Sequence, residues 1–333
     1  TDNADGHKWI LDELGKRVID INYLAAYAKA AARIGTPAAV GQFRAALVTQ
    51  KGRGAGYYRR AVGGLGAGSS AEVLPLIREV IKTNPGNYFE DFRLGQTIRH
   101  ATPRTVTAGD VALYTALYGS RFAVQSSDAF AKAIGYKHAP VDDLLVFHVV
   151  FGKTVPDISL NAVANLGYAA CRFLSPVYPG DTLSSVSEVI GLKENSNRQT
   201  GVVYVRSRGF NQHGDVVLDY VRWVMVRKRD PNAPVKEEHV PELPKALPAD
   251  ALGDACPEIS IKHYDFVAAG QPHRWGDYQA GEKIDHVDGM TVEEAEHMIA
   301  TRLYQNTAKV HFNQFTEGQG RFGRRLIYGG HVI

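Results

Sequence analysis

The chain has 333 residues, 44% of them hydrophobic and 22% charged, with a formal net charge of +3. These values are ordinary for a globular protein, and the length suits two domains. So small a net charge gives no reason to expect a nucleic-acid or membrane partner. The sequence contains no apolar run of the ~18 residues that a membrane span needs and no signal-peptide pattern.

The chain contains two cysteines, Cys171 and Cys256. Two thiols cannot form a metal site by themselves, and so few in a long chain are typical of a reducing compartment. We therefore expect a cytoplasmic protein, with no metal and no cofactor.

Residues 1–84 alternate Ala-rich helical patterns with a peptide rich in Gly and Arg, KGRGAGYYRRAVGGLGAGSS (51–70). A phosphate-binding glycine loop follows a strand, whereas the stretch before this peptide has a helical pattern. We interpret the peptide as a flexible linker inside a helical segment whose role is open.

Residues 85–230 end in strand-like segments, GYAACRFLSPVYPGDTLSSVSEVIGL, TGVVYVRSRGFNQ and VVLDYVRWVMVRK. Their alternation and the turn sequences PGD and HGD are typical of antiparallel hairpins. Residues 231–257 are Pro-rich and acidic, which is the composition of an interdomain linker. A last block runs from 258 to 333.

The first strand-bearing block and the last block contain two copies of one unit. Segments 89–143 and 275–329 align without gaps at an offset of 186, with ten identical residues. The identities include Asp91 with Asp277, Gly95 with Gly281, Ile98 with Ile284, His100 with His286, Thr105-Val106 with Thr291-Val292 and Leu117-Tyr118 with Leu303-Tyr304.

Among the positions at which the two copies differ, four bear on chemistry. The divergent pairs are Asn306 with Ser120, His311 with Gln125, Tyr328 with Asp142 and Gly329 with Asp143. A purely structural role would be expected in both copies. The divergence therefore indicates that the later copy has a site which the earlier copy lacks.

The residues of the later copy suit addition of water to an alkene conjugated to a thioester. His311 has a side chain that titrates near neutrality and suits a general base or acid, and the amide of Asn306 can orient a water. The N–H of Gly329 can stabilise negative charge on the thioester oxygen. The structural alternative is a surface histidine, a turn-forming Asn and a helix-entry glycine. His100 and His286 recur and so suit the fold, while His148 and His331 suit packing or capping.

The stretches FEDFRLGQTI, RFLSPVYPGDTL and GRRLIYGG resemble the MaoC-type, (R)-specific enoyl-CoA hydratases. Longer stretches, among them LLVFHVVFGKTVPDISLNAVANLGY, are closer to the double hot-dog mesaconyl-CoA hydratases, also called β-methylmalyl-CoA dehydratases. The resemblance covers about 84–333. It implies an α+β fold of two tandem hot dogs, in which antiparallel sheets wrap a central helix.

The resemblance also implies roles for single residues. His311 matches the catalytic His, Gly329 the oxyanion glycine, and Asn306 the position where the wider family has a catalytic Asp. The copy at 85–230 resembles the degenerate half of double hot dogs. The copy at 258–333 stops inside its central helix, so we expect an incomplete second hot dog.

The implied activity is reversible hydration of a branched, dicarboxylic enoyl-CoA, with mesaconyl-CoA as the expected substrate and a homodimer as the expected assembly. The alternatives are a hydratase for a linear or itaconyl-type enoyl-CoA, and a non-catalytic acyl-CoA-binding subunit. Arg302, Arg324 and Arg325 are the candidates for binding the free carboxylate, and Tyr328 is a further substrate-binding candidate.

Overall fold

The described residues belong to one compact unit, Pro85–Ile333. The computed structural model describes residues 86–234, 237–252, 257–270, 272–287, 289–320 and 322–332. The predictions for the helical segment 1–84 and for Cys256 lie outside these residues. No helix in the described ranges is both long and apolar enough to cross a membrane.

Five antiparallel strands form a single sheet in the first copy. They are β1 (Thr97–Thr105), β2 (Ala162–Phe173), β3 (Thr182–Glu194), β4 (Thr200–Phe210) and β5 (Val216–Arg227). Their order across the sheet is β1-β3-β4-β5-β2. The predicted strands are confirmed, and β1 adds an edge strand that the alternation pattern did not indicate.

The interpretation of PGD as a hairpin turn is wrong. The flanking strands β2 and β3 are not neighbours in the sheet. The turn instead brings the start of β3 beside the end of β1. There the N–H of Val106 donates to the carbonyl of Asp181 at 2.9 Å, and the N–H of Gly180 donates to the carbonyl of Val106 at 2.7 Å. The hairpins are β3–β4 and β4–β5, and HGD lies in the turn of the second.

Four helices of the first copy precede β2: α1 (Ala108–Tyr118), α2 (Ala123–Ser126), α3 (Asp128–Ala133) and α4 (Asp143–Thr154). The sequence of α4, DLLVFHVVFGKT, is apolar on nearly every side, so the helix suits the interior of the domain. Asp142 caps it by accepting a hydrogen bond from the N–H of Leu144 at 2.8 Å. Nine of its residues are buried against the sheet, which makes α4 the central helix of a hot dog.

A π-helical turn, Val155–Ser159, continues directly from α4. It brings Asp157 to His100, whose Nδ1 lies 2.7 Å from Oδ2 of that carboxylate. The Nε2 of His100 lies 2.8 Å from Oγ of Ser187 on β3. His100 therefore ties β1, β3 and the end of the central helix together.

The duplication is visible element by element. The second copy contains α5 (Glu294–Leu303), α6 (Lys309–Phe312) and α7 (Gln314–Glu317), which begin 186 residues after α1, α2 and α3. A short 3-10 helix opens each copy, at Phe89–Asp91 and at Trp275–Asp277. The described residues from 272 onward contain no strand.

The identical residues of the two copies occupy matching places in the structure. Asp91 accepts a hydrogen bond from the N–H of Tyr88 at 2.9 Å, and Asp277 accepts one from Arg274 at 2.8 Å. Gly95 and Gly281 share a positive φ, at 73° and 83°. These identities serve local backbone structure and not a reaction.

The second copy packs onto the central helix of the first. Gly152 of α4 allows this, because a Cβ there would lie 1.8 Å from the carbonyl oxygen of Tyr304. Tyr304 and Tyr328 belong to the same buried core as Leu145 and Val149 of α4. Residues 237–252 follow an irregular path, on which His239 exchanges two backbone hydrogen bonds with Leu192.

Candidate active site

Two of the residues that diverge between the copies, Asn306 and His311, lie shortly after α5. Asn306 is in the turn between α5 and α6, with 1% of its surface exposed. His311 lies within α6 and is half-buried. The segment that contains Asn306 and His311 is therefore not an exposed surface turn.

The imidazole of His311 is held in one orientation. Its Nδ1 lies 3.0 Å from the carbonyl oxygen of Leu326. A carbonyl can only accept, so Nδ1 carries the proton and Nε2 of the neutral ring has a free lone pair. Burial lowers the pKa of His311 below its ordinary value, although the Leu326 carbonyl and Glu317 act in the opposite direction. The ring is therefore a neutral base at pH 7.

The side chain of Asn306 is also fixed. Its backbone N–H donates to the carbonyl of Thr301 at 3.0 Å. Its Oδ1 accepts a hydrogen bond from the N–H of Ala308 at 3.2 Å. Among the described residues Nδ2 has no partner, so this amide hydrogen-bond donor is free for a water or a substrate.

Gly329 opens a 3-10 helix, Gly329–His331, as the predicted turn into a helix requires. In the described part of the chain the N–H groups of Gly329 and Gly330 have no acceptor. A Cβ added at Gly329 would meet no atom within 4 Å. The two N–H groups can therefore be approached by a substrate oxygen.

The three predicted catalytic residues line one cavity of about 560 Å³. The volume is in the range of small-molecule sites. Both copies contribute, the later with the loop around His311 and the earlier with α4, β2 and β5. None of the described residues on its wall is Asp or Glu. The wall consists of Leu144, Phe147, His148, Phe151, Val155, Ser159, Ala162, Val163, Ala164, Asn165, Tyr168, Cys171, Phe173, Arg222, Val224, Asn306, Ala308, Val310, His311, Leu326, Tyr328, Gly329 and Gly330.

Neutral polar side chains complete the wall near His311. The hydroxyl of Tyr328 lies 3.2 Å from Nδ1 of His148, and the Tyr328 ring centre lies 5.3 Å from that of His311. Burial lowers the pKa of His148 to about 4 and raises the pKa of Tyr328. Burial also raises the pKa of Cys171 to about 11, so this thiol is not an activated nucleophile.

Two buried histidines support the Gly329 turn from behind. Nε2 of His297 accepts a hydrogen bond from the N–H of Tyr328 at 2.9 Å. Nδ1 of His331 lies 3.0 Å from the hydroxyl of Tyr118. Burial, with the nearby His311 and His331, lowers the pKa of His297 to about 4. His297 was not among the residues predicted from the sequence, although its counterpart in the first copy is an apolar residue, Val111, and this difference between the copies could have indicated it.

The predicted carboxylate-binding arginines do not lie on the cavity wall. Arg324 and Arg325 both bind Glu294, the second with 3.4 Å between Nη2 and Oε2. Tyr328, the further substrate-binding candidate, does line the cavity. The described wall has a different cation, Arg222 of β5, which was not among the residues predicted from the sequence.

The chain is similar in sequence to characterised hydratases. A family model described as mesaconyl-CoA hydratase matches residues 74–332. A β-methylmalyl-CoA dehydratase of Chloroflexus aurantiacus is 66% identical over 252 residues, which are 76% of this chain and 71% of that relative. A mesaconyl-CoA hydratase of Cereibacter sphaeroides is 65% identical over 254 residues, 76% of this chain and 73% of that relative.

Solved structures show the same architecture. A MaoC domain protein dehydratase from Chloroflexus aurantiacus has a TM-score of 0.73 and 65% identity, over 76% of this chain and 72% of its own. A Mycobacterium tuberculosis protein described as a double hot dog has a TM-score of 0.55 and 24% identity, over 75% and 74%, and this likeness concerns the fold alone. The predicted tandem hot-dog fold is confirmed.

Proposed function

The chain belongs to the mesaconyl-CoA hydratase family, and we propose that its cavity adds water reversibly to mesaconyl-CoA to give β-methylmalyl-CoA. The family and the names of the two relatives confirm the predicted hydro-lyase activity on an enoyl-CoA. The assignment of His311, Asn306 and Gly329 to that reaction is our proposal. The observation that carries it is their position on the wall of one cavity.

His311 is the base in this proposal. Its neutral Nε2 takes a proton from water as the water oxygen bonds to the β-carbon of the alkene. The alkene electron pair moves to the thioester oxygen, which becomes an enolate. Because the described wall has no carboxylate and an amide cannot take up a proton, the imidazolium of His311 returns the proton to the α-carbon. One proton and one hydroxide are thereby added, and the histidine is neutral again.

Asn306 and the Gly329 turn stabilise the same step. The free Nδ2 of Asn306 donates to the attacking water and fixes its position, which lowers the entropic part of the barrier. The N–H groups of Gly329 and Gly330 donate to the enolate oxygen in a cavity with mostly apolar walls. Such preorganised donors are worth more there than in water.

The test is His311→Ala, assayed by the loss of the enoyl-thioester absorbance. We expect kcat to fall by about 10²–10⁴-fold, the usual effect of removing an acid–base group. Binding of a saturated acyl-CoA should change little, because the described contacts of the His311 imidazole are one hydrogen bond to the Leu326 carbonyl and contacts with neighbouring rings. Asn313→Ala is a matched control from the next turn, outside the cavity wall.

Two results would exclude this assignment. An active His311→Ala variant would remove His311 from the reaction. A wild-type chain that binds acyl-CoA but never hydrates it would favour a binding subunit.

The same hydration assay with linear and itaconyl-type enoyl-CoA tests the alternative substrates. The homodimer and the cytoplasmic location stay predictions, and sedimentation equilibrium at twice the chain mass would support the first.

A further inference from the structure

Arg222 of β5 is a fully buried arginine, with 0% of its surface exposed. Its Nη2 donates to Oγ1 of Thr154 and to Oγ of Ser159, both at 2.8 Å. Its guanidinium carbon lies 4.5 Å from the centre of the Phe151 ring. These three contacts fix the position of a positive charge on the cavity wall.

The other donors of this guanidinium are unused. Nε and Nη1 are buried and have no hydrogen-bond partner. No carboxylate among the described residues lies within ion-pair distance of Arg222. Buried charges in proteins are as a rule paired, because an unpaired charge loses its hydration without compensation. The arginine therefore lacks an anion.

Several other arginines of the same copy have carboxylate partners. On β4, Nε of Arg206 donates to Oδ1 of Asp219 at 2.9 Å. On β1, Nη2 of Arg104 donates to Oδ1 of Asp110 at 2.6 Å. These side chains are explained by the fold alone. The fold alone does not explain Arg222, because this arginine lines a cavity whose described wall contains no acidic residue.

The guanidinium and the imidazole of His311 lie at opposite ends of one pair of aromatic rings. Arg222 covers the ring of Phe151, which stacks on the ring of Tyr328 with 5.9 Å between centres. The Tyr328 ring centre is 5.3 Å from that of His311. In mesaconyl-CoA the free carboxylate is bonded directly to the β-carbon, so a short acyl group between the imidazole and the guanidinium presents its β-carbon to the first and its carboxylate to the second.

The π-helical turn after α4 supports the same view. It places Oγ of Ser159 beside Nη2 of the guanidinium, and Thr154, the last residue of α4, accepts a hydrogen bond from the same nitrogen. Such turns interrupt regular helices at some cost and occur frequently at functional sites. The carboxylate of this turn, Asp157, lies against His100, so the turn keeps the Arg222 side chain in place without pairing its charge.

We propose that Arg222 binds the free carboxylate of the acyl group and so selects enoyl-CoA thioesters that have a terminal carboxylate in addition to the thioester group. This inference rests on the proposed function, because it assigns the acyl group to the same cavity. The carboxylate supplies the missing acceptor for Nη1 and Nε. An acyl chain ending in a methyl group leaves the arginine unpaired, so apolar enoyl-CoA thioesters are poor ligands.

The test uses two saturated ligands, so that it does not depend on hydration. Methylsuccinyl-CoA with its distal carboxylate free is compared with 2-methylbutyryl-CoA, in which a methyl group replaces the carboxylate. Calorimetric titration of the wild-type protein should show methylsuccinyl-CoA binding tighter by about 10²-fold, the usual effect of charge-assisted hydrogen bonds. In Arg222→Met this preference should fall to within about threefold. The control Arg206→Met, on the same sheet, should keep it.

A wild-type protein that binds both ligands equally would overturn the proposal, and this measurement needs no variant. An Arg222→Met protein that keeps the preference would also overturn it. If Arg222→Met does not fold, Arg222→Lys keeps the charge in a compact ammonium and should reduce the preference without abolishing it. A chain that shows the preference but does not hydrate mesaconyl-CoA would contradict the proposed function and leave this inference standing.

Discussion

The hydroxyl of Tyr304 donates to the hydroxyl of Tyr118 at 2.7 Å, and the two residues occupy the same position in the two copies of the repeat. Contact between equivalent residues is expected where two copies are related by a local two-fold axis. The Tyr118 hydroxyl also lies 3.0 Å from Nδ1 of His331, which follows the Gly329 turn. The pair therefore links the interface between the copies to the candidate oxyanion site.

This relationship gives a stability prediction. Tyr118→Phe should lower the free energy of unfolding by about 1–3 kcal/mol, because it leaves the buried hydroxyl of Tyr304 without an acceptor. Tyr304→Phe removes one hydrogen bond but leaves Tyr118 paired with His331, so it should cost about 1 kcal/mol. Urea unfolding of both variants and of the double variant measures these effects.

The double variant is the control. Because it removes both hydroxyls, its cost should be smaller than the sum of the single costs. Additive costs would show that the hydrogen bond between the two tyrosines does not stabilise the fold.

The repeat, the strands and the three residues around His311 could be predicted from the sequence. Period-two alternation predicts β3, β4 and β5, because their inner faces pack on one helix. Comparison of the copies identifies Asn306, His311 and Gly329, since a site kept in one copy differs from its counterpart. Each of these signals can be recognised either in a short run of neighbouring residues or by comparing positions that are 186 residues apart.

The wall opposite His311 could not be predicted in this way. Arg222 and His148 reach the cavity only because β5 and α4 of the first copy face the later copy. A local sequence pattern does not predict which elements of the two copies pack together. The PGD error has the same origin. Strand order in a sheet depends on long-range pairing, and β1 takes the place beside β3 that a hairpin would have given to β2.

The second prediction concerns the two glycines of the turn. Gly329→Ala should fold normally, because its Cβ meets no atom within 4 Å. Its methyl group would occupy the space beside the N–H that a thioester oxygen approaches, so kcat should fall by about 10²-fold. Steady-state kinetics and a melting curve of the same preparation measure both effects.

Gly330→Ala is the contrasting variant. Its Cβ would lie 2.2 Å from Cε1 of His148, so this substitution should cost about 1–3 kcal/mol of stability. If Gly329→Ala retained full activity while remaining folded, the N–H of Gly329 could not be an oxyanion donor.

The third prediction concerns the pH dependence of hydration. The form of His311 that acts as a base is neutral. kcat/KM should therefore reach its maximum above the pKa of His311 and fall as the pH drops through that pKa. Because burial lowers this pKa from 6.5, the acid limb should lie below pH 6.5. Asn306→Asp places a carboxylate on the same wall, which should raise the pKa of His311 and move the acid limb upward by about one unit.

Asn306→Ala is the matched variant for this profile. It adds no charge, so kcat should decrease while the acid limb stays where the wild-type protein has it. An acid limb that does not move in Asn306→Asp would show that another group controls the profile.

The last prediction is an acid-dependent loss of stability from two buried histidines. Burial lowers the pKa of His148 and that of His297 to about 4, whereas the unfolded chain titrates near 6.5. Between these values the unfolded state binds protons that the folded state does not. The free energy of unfolding should therefore fall as the pH drops from 6.5 toward 4, by up to about 1.4 kcal/mol per pH unit for each histidine.

Urea titrations at pH 7, 6 and 5 measure this slope, and His148→Gln separates the two contributions. The glutamine can keep a hydrogen bond to the hydroxyl of Tyr328 but cannot titrate. The variant should lose less stability between pH 7 and pH 5 than the wild-type protein does, even if it is less stable at pH 7. An unchanged slope would mean that His148 binds protons equally in the folded and the unfolded protein, so that burial does not lower its pKa.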